Sequence, residues 1–151
     1  MRYQLCGGRQ RARSDADKAQ RERQILAAAA ELFVSRRFEQ VTLAEVAAAS
    51  GLTKAALYRY FRSRELLYIA VYREHFAAMV DTLCRQPPAR FPHGFADVLL
   101  AHPLVCSLTA VLHVALETGL SEQEARDFKL FLLAQSQRLV GLLQQRTGRS
   151  E

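Results

Sequence analysis

Two basic side chains stand where helix physics disfavours them. Lys54 follows Thr53 and Arg64 follows Ser63, and a Thr or Ser in front of a periodic apolar run reads as a helix N-cap. Each cation therefore falls in a first helical turn, where the macrodipole opposes positive charge by roughly 0.3–1 kcal/mol. The same turn exposes N–H groups that bind phosphate, and an adjacent cation adds a charge-assisted hydrogen bond. The chemistry implied is the holding of a phosphate backbone. Residues suited to bond-making chemistry are scattered. His75, His93, His102 and His113 show no H-E-x-x-H or similar spacing, and His113 lies in an apolar run that reads as core or pocket lining. Cys6, Cys84 and Cys106 form no C-x-x-C pair, and Cys84 and Cys106 read as ordinary buried apolar residues. Without a nucleophile elbow, a phosphate-binding glycine loop or paired carboxylates on a common face, the chain is expected to be no enzyme and to carry no metal or cofactor.

The elements that must position Lys54 and Arg64 are all helical. Ile25, Leu26, Ala29, Leu32 and Phe33 form one stripe of a 3.6-residue period, predicting a first helix over roughly 18–36. Thr42 and Glu45 form a capping box, with Val41 and Val46 as its hydrophobic staple, so a second helix starts at Leu43. Ser50-Gly51 stops it after about two turns, because glycine accepts the left-handed conformation past a helix end. Thr53 caps a third helix to about Tyr60, and Ser63 caps a fourth that runs past Met79 on Leu66, Leu67, Ala70 and Val71. Pro87, Pro88 and Pro92 break the pattern. Phe95 to Ala101 and Leu104 to Glu117 then read as helices separated by Pro103. A second capping box, Ser121 with Glu124, opens a last helix on Phe128, Phe131, Leu132, Leu139, Leu142 and Leu143. No window alternates with period two, and the fold class is all-α.

Charge divides the chain in the same way. Of 21 Lys and Arg and 15 Asp and Glu, residues 1–67 hold 13 basic and 7 acidic side chains, and residues 68–151 hold 8 of each. A basic head joined to a neutral apolar unit suggests polyanion binding in the first and another task in the second. Residues 1–17 read as a mobile basic arm whose Arg9, Arg11 and Arg13 either reach DNA or simply solubilise. Residues 18–67 read as the head and 68–151 as a helical regulatory domain. The longest apolar stretch, Pro103 to Leu116, is 14 residues, short of the roughly 20 that span a bilayer. With no secretory h-region and no disulfide framework, a cytoplasmic location is expected.

Two short helices joined by Ser50-Gly51-Leu52 have the dimensions of a helix-turn-helix, whose second helix enters the major groove. Its buried side would be Val46, Ala47, Leu52 and Leu57, and its outward side Thr53, Lys54, Ala55, Tyr58 and Arg59. The stretches from Arg23 to Phe33, Val41 to Ala47, Ser50 to Phe61 and Ser63 to Leu67 together resemble the DNA-binding domain of the tetracycline-repressor (TetR) family. The resemblance implies a three-helix helix-turn-helix domain joined by a long helix to a short helical ligand and dimerisation domain. It implies a homodimeric transcription regulator, usually a repressor, that binds operator DNA and responds to a small-molecule effector. Matched position by position, Thr42, Tyr58 and Arg64 correspond to phosphate contacts. Thr53, Lys54, Ala55, Ala56 and Arg59 correspond to the base-facing surface, with Tyr60 completing the set.

The chain departs from the pattern at two places. Arg37 stands where the family usually has glycine after the first helix, implying a left-handed backbone at a cost of about 1 kcal/mol or a different helix ending. The regulatory domain also reads as truncated relative to the family, so dimerisation is expected to be weak or to use the sixth and seventh helices. Phe76, Met79, Leu99, Leu112 and His113 are expected to line the effector site, being apolar or polarisable and inward-facing on a helical wheel. The alternative function is a helical ligand-binding protein that has lost DNA binding.

Overall fold

The computed structural model describes residues 6–87 and 93–147. These form seven α-helices: α1 (Cys6–Ser35), α2 (Leu43–Ala49), α3 (Lys54–Tyr58), α4 (Arg64–Arg85), α5 (His93–Ala101), α6 (Pro103–Thr118) and α7 (Glu122–Thr147). A single 3-10 turn, Phe38–Gln40, follows α1, and no strand occurs among the described residues. The chain divides into two units, Met1–Arg62 and Ser63–Glu151. The sequence places the boundary after Leu67. Ser63 goes with the second unit because its hydroxyl accepts from the Leu66 N–H at 3.2 Å and so starts α4.

In the first unit, α1 buries Ile25, Leu26, Ala29 and Phe33 of the stripe that its periodicity announces, with Ala30 beside them, while Leu32 of that stripe is half-buried. Full burial of a large aliphatic or aromatic side chain is worth about 1.5–3 kcal/mol, and this stripe anchors a helix much longer than itself. Residues 6–17, read from the sequence as part of a mobile basic arm, are helical. Past Gly8 the sequence holds mostly Arg, Gln, Ala, Asp and Lys with no proline, and once a helix is nucleated each further residue adds one hydrogen bond. Met1–Leu5, and the side chains of Arg9, Arg11 and Arg13, lie outside the described residues. So do Pro88 and Pro92, where the sequence expects a loop.

Arg37 resolves the choice its position poses. Its backbone is extended, φ −66° and ψ 146°, so α1 ends without a left-handed residue. Phe38 then tucks in against Phe33, ring centroids 6.0 Å apart, and Val41 and Val46 close the staple at 1% and 0% exposure. The turn after α2 is where glycine is required. Gly51 has φ +68°, its N–H donates to Ala48 O at 3.1 Å, and the Leu52 N–H donates to Ala47 O at 2.8 Å. These two bonds are the Schellman pattern. The third helix is shorter than expected: after Tyr58 the N–H groups of Arg59 and Tyr60 turn to Ala56 O and Leu57 O, a tightened i−3 ending.

In the second unit α4 is the central element, packing against α5, α6 and α7. Leu67, Tyr68, Val71, Tyr72, Met79, Val80 and Leu83 of α4 are buried, with Val98, Val105, Leu108 and Phe128 from the helices around it. The Tyr68 hydroxyl donates to the Leu108 carbonyl, satisfying a polar group in the core as burial demands. Tyr72, Phe76, Phe128 and Phe131 make a continuous set of stacked and edge-on rings with centroids 5.4–6.3 Å apart. Ser121 and Glu124 reciprocate at the start of α7, and Arg138 reaches Asp81 at 2.5 Å.

Two glycines separate backbone strain from crowding. A Cβ on Gly51 would meet nothing within 4 Å, whereas one on Gly119 would lie 2.4 Å from Glu65 Cγ. Gly51→Ala is expected to lower stability by about 1 kcal/mol through its positive φ alone, with Gly51→Asn recovering part of the loss because Asn tolerates that region. Gly119→Ala is expected to cost about 1–3 kcal/mol by overpacking. Urea denaturation of the full chain checks both.

Candidate nucleic-acid interface

Positioning starts from the cap of α2. The Thr42 hydroxyl accepts from the Glu45 N–H at 3.2 Å, and the Glu45 carboxylate accepts from the Thr42 N–H at 2.9 Å and from its hydroxyl at 2.8 Å. Arg36, just past α1, adds an ion pair to Glu45 at 2.6 Å. Bonds from Thr42, backbone first and hydroxyl second, hold the Glu45 carboxyl below its ordinary pKa, with Arg36 contributing less and partial desolvation opposing. The Arg36–Glu45 pair is about half exposed on both sides, and such pairs add little stability. The capping box is therefore what seats α2.

Opposite faces of the two short helices then do different work. Val46 and Leu57 are fully buried, Ala47 nearly so and Leu52 half-buried, which joins α2 to α3 through apolar contact. Thr53, Lys54, Ala55, Tyr58 and Arg59 are all exposed. Thr53 keeps its hydroxyl oxygen on the Ala56 N–H at 3.2 Å, leaving the O–H free to rotate outward. The Lys54 ammonium lies 5.8 Å from the Tyr58 ring centroid, a weak cation–π contact at i, i+4. Ala56 and Tyr60 are half-buried and Thr42 is exposed. The first unit thus brings together every candidate DNA residue except Arg64, which belongs to the second unit. There Arg64 is half-buried and pairs with Glu65 at 3.3 Å.

A feature the sequence does not reveal lies beside α3. Asp17, Lys18 and Arg21 of α1 face Leu52, Ala56, Arg59 and Tyr60 across an open cleft of about 490 Å³. The i, i+3 spacing of Lys18 and Arg21 shows that they share a helix face, but only the fold shows what that face meets.

The candidate effector residues behave unequally. Met79 is buried; Phe76, Leu99 and Leu112 are half-buried, and Phe76 stacks on Tyr72 and meets Phe131 edge-on. His113, expected to face inward, is exposed. The inward stripe of α6 runs through buried Val105 and Leu108 to half-buried Leu112, and the residue after each is rotated by about 100° from it. Cys106, expected to be buried, is exposed for the same reason. Among the described residues no group of three or more His, Cys, Asp or Glu could hold a metal ion.

Residues 25–71 match the family model for bacterial regulatory proteins of the tetR family, and residues 65–150 match the tetracyclin repressor-like C-terminal domain. Over 62 residues the chain is 37% identical to the HTH-type transcriptional activator FasR of Mycolicibacterium smegmatis, covering 41% of this chain and 28% of that protein. The fold is similar to the crystal structure of a tetR-family transcriptional regulator from Streptomyces coelicolor, with a TM-score of 0.63 and 18% identity over 88% of this chain and 60% of that one. The chain therefore spans less than two thirds of either protein.

The low pKa of Glu45 makes the cap pH-dependent. Its contribution is present above the ordinary carboxyl value of 4.5 and is lost as pH falls through the lower folded-state value. Thermal melts from neutral to strongly acidic pH are expected to show a smaller acid-side decline in Glu45→Gln than in the parent. Thr42→Ala is expected to lower stability by about 1 kcal/mol at neutral pH through loss of the cap.

Proposed function

The chain belongs to the tetR family of bacterial regulatory proteins, and from that premise we propose that it regulates transcription by binding operator DNA through α3. The observation that carries this reading is the division of labour within α2–α3. Leu57 is fully buried, while Thr53, Lys54, Ala55 and Tyr58 of the same turn and a half point to solvent. A second helix turned inward could not enter a groove about 12 Å wide. The solvent-facing set also weighs against a ligand-binding protein that has lost DNA function.

Roles follow from side-chain chemistry. Lys54, Thr53 and the exposed methyl of Ala55 face the base edges, where lysine suits a guanine and a methyl group suits thymine. Ala56 and Arg59 continue that face. Thr42, Tyr58 and Arg64 hold phosphates and set register, and Tyr60 supports the end of α3. Operator occupancy represses by excluding polymerase, although FasR, similar over 62 residues, is named as an activator, so operator placement sets the sign.

The second unit supplies control and pairing. Exposed Leu130, Leu133 and Val140 on α7 are large apolar side chains facing solvent, which supports a homodimer. Two heads then read two half-sites, raising affinity and specificity. An apolar effector lies among Phe76, Met79, Leu99 and Leu112, with no part for the exposed His113. Glu65 pairs with Arg64 and packs onto Gly119 at the end of α6. A shift of α6 is thereby felt at a phosphate contact, and the effector acts by preferring an arrangement that DNA disfavours. The protein works in the cytoplasm, where DNA and effector meet, and needs no catalytic step. Among the described residues no helix is long and apolar enough to cross a membrane.

Selection of duplexes from a randomised pool, followed by titration at several salt concentrations, tests the reading. A preferred, palindrome-like sequence is expected, with affinity falling steeply as salt rises. Arg64→Gln is expected to weaken all sequences alike and reduce the salt slope by about 1, whereas Lys54→Ala relaxes base preference at one position by about 1–3 kcal/mol. Unchanged selectivity in Lys54→Ala removes α3 as the reading element.

A further inference from the structure

We infer that the cleft between α1 and α3 is a second backbone-phosphate seat, in which Lys18 and Arg21 extend the DNA footprint beyond the bases faced by α3; this rests on the DNA-binding reading above. The cleft is formed within one unit by Lys18 and Arg21 on one wall and Arg59 and Tyr60 on the other. Three cations against one carboxylate, Asp17, give it a net positive charge, and all four charged side chains are exposed.

The geometry suits a polyanion better than a small apolar ligand. Only Leu52 and Ala56 supply aliphatic lining, so little apolar surface is available to hold a hydrophobic molecule. Arg59 lies at the end of α3 and belongs to both the cleft and the reading face. A strand whose bases meet Lys54 therefore passes its sugar-phosphate chain close to Arg59. Successive phosphates of that strand are then open to the cations of the cleft, and each one neutralised releases condensed counterions. Arg21 is already oriented: its Nη1 donates to Gln24 Oε1 at 3.3 Å, which reduces the side-chain freedom lost on binding. Asp17 is the unfavourable member, and its repulsion of a phosphate weakens non-specific capture.

The test uses the full chain and two probes, a duplex enriched by the parent protein from a randomised pool and a duplex of random sequence. Replacing Lys18→Gln together with Arg21→Gln is expected to flatten the slope of log K against log salt by about 1.8 per bound chain on both probes, at about 0.9 for each phosphate contact. The enriched sequence itself should stay the same. Asp17→Asn, a gain-of-function arm that misfolding could not mimic, is expected to tighten binding to both probes at low salt and to lose that advantage as salt screens the site. An unchanged slope in the double variant, a changed base preference, or no tightening in Asp17→Asn overturns the inference while leaving α3 as reader intact. A parent protein that binds neither probe overturns both.

Discussion

The left-handed backbone at Gly51, held by hydrogen bonds from Gly51 N–H to Ala48 O and from Leu52 N–H to Ala47 O, fixes where α3 leaves α2. Because α3 is barely more than one turn, it has no long apolar stripe with which to choose its own orientation. Its rotation about its axis is set at its ends, by this turn and by Thr53 on the Ala56 N–H, and by the one fully buried side chain between them, Leu57. That rotation sends Lys54, Ala55 and Tyr58 outward together. Every role assigned to the head depends on it.

The two units solve different physical problems. The head carries the excess positive charge and presents Thr53, Lys54, Tyr58 and Arg59 on a small buried base, a composition suited to meeting phosphate and water. The second unit is organised around α4, with four rings from α4 and α7 in contact and two tyrosines using their hydroxyls on α6. Its apolar surface is more than its own core consumes, since Leu130, Leu133 and Val140 of α7 are exposed.

Much of the fold was legible because its helix boundaries are chemically marked. Thr42 with Glu45 and Ser121 with Glu124 form the capping boxes that their spacing announces, and Thr53 and Ser63 cap where their positions imply. Boundaries without such marks were less legible. The start of α1 lies well before Lys18, since a polar segment carries no periodic signal for the helix it extends. His113 and Cys106 stand in an apolar run that suggests an interior, yet a run that is apolar almost all round does not state which side is buried.

Sequence alone determined the all-α class, the two-part charge division and the outward set on α3, because caps, glycine and helical periodicity are local and act over three or four residues. Tertiary structure decided what the local rules leave open: the extended ending at Arg37 and the opposition of Lys18 and Arg21 to Arg59. It also decided the exposure of His113 and the aromatic contact of α4 with α7. These depend on which faces meet across distant parts of the chain, and burial against a partner helix has no signature in the spacing of residues along one.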